Sequence, residues 1–130
     1  MTVPVRDRRS TAGILAALGL DVVLVTVFAA IGRASHSEAP FAGLATTAGP
    51  FVAALVAGWL VSLAWRAPLA VVRTGIPVWA VTVVGGMTLR ALSGQGVQVA
   101  FVIVAASVLL LLLVGWRLVA ALVARRRSAD

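Results

Sequence analysis

The sequence holds no cysteine and no lysine, only one histidine, and just four acidic residues among 130. Without cysteine there are no disulfides, no thiol chemistry and no cysteine metal sites. Charged residues make up 12% of the chain, too few to solvate the surface of a soluble domain of this size. Catalytic constellations are also missing. There is no Ser-His-Asp arrangement, no H-x-x-x-H pair, no two carboxylates at one depth and no glycine-rich loop after a strand, so the chain does not read as an enzyme. One histidine and one glutamate on a short loop supply too few ligands for a metal, and no cofactor is expected.

Apolar residues fill the space. Hydrophobic residues are 62% of the chain and the mean hydropathy is +1.09. All eleven basic residues are arginines, and they punctuate long apolar runs instead of lining a polar face. That placement excludes a nucleic-acid surface and points to anionic lipid head groups. A helix needs about 20 residues to cross the hydrocarbon layer. The charge-free runs predict an all-α, four-helix integral membrane bundle in one domain over 1–130, with spans near 11–32, 43–65, 72–92 and 97–118. Residues 1–9 and 120–130 are expected as tails at the lipid surface. The first run is too long for the apolar part of a signal peptide and reads as a retained span.

Arginine placement sets the expected orientation. With the N-terminus inside, Arg6, Arg8, Arg9, Arg66, Arg73, Arg117, Arg125, Arg126 and Arg127 share the cytoplasmic side, and only Arg33 and Arg90 lie outside. This bias places both termini in the cytoplasm, makes the chain a multi-pass protein of the cytoplasmic membrane, and disfavours dual topology. Arg33, Arg66, Arg90 and Arg117 each read as the C-terminal end of a span, where a cation suits the helix dipole, although their side chains lean back toward the membrane core. Trp65 and Trp116 read as interfacial anchors, and Trp59 and Trp79 as deeper packing residues.

Local signals refine the spans. "RTGIP" offers Thr74 as a cap and Pro77 in a first turn. A helix beginning at Pro50 is too short to span, so the second helix is expected to start nearer Gly43 and to kink at Pro50. Small residues at Gly13 and Ala17, Ala54 and Gly58, and Gly85 and Gly86 are spaced for close helix contact.

Two groups of polar residues remain. The first is Asp21, near the middle of its span, where a charged aspartate costs about 2.5–3.5 kcal/mol on insertion scales. No base is expected at its depth, since Arg73 and Arg90 flank opposite ends of the third span. The plain reading is a neutral Asp21 hydrogen-bonded to Thr82 or Ser107. The functional reading is an ion or solute site built from Asp21, Thr82, Ser107 and Trp79. The second group is an outer-face cluster of Arg33, His36, Glu38, Arg90 and Gln95, either an anion site or an ion-pair cluster at capped helix ends.

Four stretches carry a resemblance: Asp21 followed by "GRASH" ending at His36, "RTGIPVW" ending at Trp79, "GGMTLR" ending at Arg90, and "SGQG" ending at Gly96. Over roughly residues 14–120 the chain resembles the small actinobacterial and haloarchaeal membrane proteins grouped as domain of unknown function 3054. The resemblance implies an integral membrane protein and no defined activity. It draws attention to Asp21, Arg33, His36, Arg73, Trp79 and Arg90.

Two functions are compatible with these residues. One is the handling of a small solute or ion through the mid-membrane carboxylate. The other is a structural or accessory role, binding anionic lipid at the cytoplasmic face or a larger membrane partner. Assembly with further copies of the chain is compatible with either.

Overall fold

The computed structural model describes residues 6–35 and 42–129, with side chains over 11–34 and 42–128. These residues form helices and short connections, with no strand among them. Helix α1 is Arg6–Ser35, α2 is Leu44–Ser62 and α3 is Ile76–Leu92; α4 (Val99–Leu109) and α5 (Gly115–Ala129) are joined by the π turn Leu110–Val114. A second π turn, Val71–Gly75, leads into α3. Four helices are long and apolar enough to cross a membrane: Thr11–Ala34, Leu44–Ser62, Val71–Leu92 and Val99–Ser128. The chain is therefore an all-helical, multi-pass membrane protein.

The start of α1, the end of α5 and the 63–70 connection lie at one end of the bundle, the terminal end. The start of α2 and the turn at 93–98 lie at the other, the distal end. Because α2 stops at Ser62 while α1 and α5 continue, the first and last helices extend past the second at the terminal end.

Close contact between α2 and α3 follows from their small residues. A Cβ on Gly86 would collide with the Phe51 ring, one on Gly85 would stand 2.9 Å from the Ala54 Cβ, and one on Gly58 would stand 3.3 Å from the Val78 backbone. Lipid gives helices no hydrophobic drive to associate, so this contact rests on van der Waals packing that larger residues would prevent. Gly13 plays no such part, for nothing lies within 4 Å of where its Cβ would be. At the distal half, Phe28, Phe51 and Phe101 meet with centroids 5.6–6.3 Å apart and join α1, α2 and α4.

Helix starts differ from the sequence expectation in one respect. Helix α2 begins at Leu44 behind Gly43, whose φ of 78° suits glycine, and runs through Pro50. Pro77 sits in the first turn of α3, directly after the π turn. Thr74 does not cap that helix. It lies inside the π turn, and its hydroxyl donates to the Ala67 carbonyl at 2.6 Å, tying the turn to the 63–70 connection.

A candidate polar centre at Asp21

Each helix brings its residue to the centre through its own periodicity. On α1 the buried positions Ala17, Asp21, Val25, Phe28 and Ala29 fall at steps of four, four, three and one, which is one helical stripe facing the bundle. On the last span the buried positions are Ala105, Leu109, Leu113 and Arg117. Four residues advance an α-helix by about 400°, so such a stripe slips by about 40° at every step. The π turn Leu110–Val114 winds more slowly and takes that slip back, which keeps Arg117 on the face begun by Ala105.

The result is a closed ion pair. The Asp21 and Arg117 side chains are both 0% exposed. Arg117 Nη2 donates to Asp21 Oδ2 at 2.7 Å and Nη1 donates to Oδ1 at 3.0 Å. Trp59 Nε1 donates to Oδ2 and Trp116 Nε1 donates to Oδ1, each at 2.8 Å. All four groups that reach the carboxyl are donors, so it serves as an acceptor-only carboxylate. Arg117 is held in turn: Nε donates to the Pro68 carbonyl at 2.8 Å, and Nη1 to the Leu113 carbonyl at 2.8 Å. Its guanidinium carbon also lies 4.6 Å from the centroid of the Trp116 ring. No buried side-chain nitrogen or oxygen among the described residues lacks a partner. A bidentate guanidinium with every nitrogen satisfied is the geometry in which two charges can be held away from water.

This arrangement replaces the expected one. Arg117 is the base at the depth of Asp21, and it does not terminate a span: α5 carries the helix on to Ala129 through Arg125, Arg126 and Arg127. The Trp116 indole N–H, expected at an interface, points at the same carboxylate. Trp59 is buried and supplies a hydrogen bond as well as bulk. Thr82 donates instead to the Val78 carbonyl, and Ser107, which is exposed, to the Ile103 carbonyl. Trp79 donates to the Ala106 carbonyl at 2.8 Å, joining α3 to α4. Thr82, Ser107 and Trp79 therefore do not hydrogen-bond Asp21. Sequence reasoning missed Arg117, Trp116 and Trp59 as its partners. The signal available was the backward lean of helical side chains, which carries the Arg117 head toward Leu113, one turn earlier.

Of the second polar group, Arg33, Arg90 and Gln95 are described, and they gather at the distal end around the first turn of α2. Arg33 Nη1 donates to the Thr47 hydroxyl at 2.9 Å. Gln95 Nε2 donates to the Thr46 carbonyl at 3.1 Å. Arg90 donates from Nη1 to Gln95 Oε1 and from Nε and Nη2 to the Gly96 carbonyl, and its guanidinium lies 4.4 Å over the Phe101 ring. Arg33 and Gln95 thus fasten α1 and the 93–98 turn to α2. His36 and Glu38 lie outside the described residues. Among the described residues no three histidine, cysteine or acidic side chains gather as a metal site would need.

A family model described as a protein of unknown function, DUF3054, matches residues 18–120, a stretch that includes all four members of the Asp21 centre. Neither a curated protein nor a solved structure matches the chain.

Proposed function

The chain belongs to the DUF3054 family, and from that premise we propose that it is an accessory protein of the cytoplasmic membrane, which works by contact with anionic lipid at its arginine-rich terminal end. In this reading Asp21 is a structural group. The observation that carries it is the enclosure of the Asp21 carboxylate, 0% exposed and bonded four times by Arg117, Trp59 and Trp116. A carboxylate that passes protons or cations must exchange its partners and meet water, and here every partner belongs to the chain.

The distribution of charge supports the lipid contact. Nine of the eleven arginines belong to the terminal half of the bundle or its flanking segments, together with Asp7 and Asp130. One of the nine, Arg117, is spent on Asp21, while Arg66, Arg73 and Arg125 to Arg127 are exposed. Arginines concentrated on one side of a bundle mark the cytoplasmic face and attract its anionic leaflet.

The competing reading, passage of a small solute or ion by way of Asp21, requires Arg117 to leave the carboxylate. Labelling with an apolar carbodiimide in native membranes separates the two, with peptide mapping at residue 21 and Asp21→Asn as the blank. No modification of Asp21 at any pH in folded protein is expected. Modification that titrates with pH and is blocked by a solute would overturn the structural reading.

A further inference from the structure

Beside the ion pair, at the terminal end, a cavity of about 540 Å³ opens between α1 and the 63–70 connection. Gly13, Ala16, Ala17 and Leu20 of α1 line one side, Ala67 to Ala70 of the connection another, and Trp116 of the last span completes the lining. Its size falls within the range of about 300–1,000 Å³ seen for ligand sites. The lining side chains are almost wholly carbon. The Trp116 N–H, the one side-chain donor among them, is already turned to Asp21, and the Pro68 carbonyl is already taken by Arg117. Water entering this space would find few partners, whereas an acyl chain would find continuous apolar contact.

The walls are fixed by the centre already described. Ala17 stands one turn before Asp21 on the same face, Trp116 adjoins Arg117, and Pro68 is held by the Arg117 Nε–H. The cleft is therefore preformed. Two exposed cations, Arg66 and Arg73, bracket the Ala67–Ala70 wall in sequence. Apolar walls flanked in the chain by two exposed cations match an amphiphile with a hydrocarbon tail and an anionic head.

We propose that this cleft is a binding site for one anionic phospholipid, with an acyl chain between Gly13, Ala16 and Trp116 and the head group at Arg66 and Arg73. The inference rests on the accessory, lipid-contacting reading above and narrows it from a charged surface to a defined site. Gly13 provides a clean test, because a side chain there enters open space.

The experiment is native mass spectrometry of the full chain released from mild detergent, offered phosphatidylglycerol or phosphatidylcholine with identical acyl chains. The wild type should retain one phosphatidylglycerol and at least ten-fold less phosphatidylcholine. Gly13→Leu and, separately, Ala16→Leu fill the cleft and should each lower phosphatidylglycerol retention at least ten-fold, with thermal unfolding unchanged. Either variant that folds suffices. Arg66→Gln with Arg73→Gln should keep a bound lipid but lose the head-group preference. If the filled variants retain phosphatidylglycerol as the wild type does, the cleft is not the site, although a preference kept by all variants would leave the broader lipid-contact reading standing. Equal retention of both lipids by the wild type would overturn both.

Discussion

Arg117 and Asp21 stand 96 positions apart in the chain and share two parallel hydrogen bonds of 2.7 and 3.0 Å in the interior of the bundle. The contact ties the first helix to the last. Trp59 and Pro68 bring α2 and the 63–70 connection to the same point. One carboxylate thus sets the relative position of three of the four membrane-crossing helices.

Loss of one charge should therefore cost more than loss of both. Arg117→Leu leaves a buried carboxylate with two indole donors and no cation, and should destabilise the folded protein by about 3–5 kcal/mol. The double variant Asp21→Leu with Arg117→Leu should be less destabilised than Arg117→Leu, since no uncompensated charge remains. Thermal unfolding in one detergent, read by circular dichroism across the four-member cycle, gives the coupling. Additive losses would count against the ion pair as the organising contact.

The arginine should not be replaceable by lysine. An ammonium cannot supply the two parallel bonds to Asp21 together with those to Pro68 and Leu113. Arg117→Lys is expected to unfold at lower temperature than the wild type. A wild-type melting curve would show that charge alone suffices.

Each indole should contribute as a donor and not only as bulk. Trp59→Phe and Trp116→Phe keep most of the ring volume and remove one hydrogen bond to an ionised group, an expected loss of about 1.5–3 kcal/mol apiece. Trp79→Phe removes a bond to a neutral carbonyl and should cost about 0.5–1.5 kcal/mol. The ordering of the three melting temperatures checks the assignment.

Gly86 should tolerate nothing larger. A Cβ there meets the Phe51 ring, which is fully buried and held between Phe28 and Phe101, so the ring has no free space to enter. Gly86→Ala should cost about 1–3 kcal/mol, and Gly13→Ala, where nothing stands in the way, should be close to neutral. Comparable melting temperatures for the two would contradict the close approach of α2 and α3.

The membrane architecture was legible because long charge-free runs admit few other structures. The packing partners Ala54, Gly58, Gly85 and Gly86 were legible for a related reason, as small residues at helical spacing suit close approach. The Asp21 centre was not. A charged residue after an apolar run reads as the end of a span, and Arg117 fits that pattern until the helix is seen to continue through Arg127. Nothing in "LLLLV" announces a π turn, yet that turn keeps Arg117 on the buried face. A pairing across 96 residues also leaves no periodic trace. Asp21 was visible as an anomaly, while its solution lay in geometry.

The wide separation of the paired residues has a consequence for biosynthesis. Ribosomes extend a chain at about 5–20 residues per second, so Arg117 is made roughly 5–20 s after Asp21. Trp59, only 38 positions beyond the aspartate, is the first of its donors to be made. For that interval the first helix carries an acidic group whose cation does not yet exist, and its stable seating in the bilayer waits on the last helix. A chain cut before residue 117 keeps Asp21 without the cation that closes its centre.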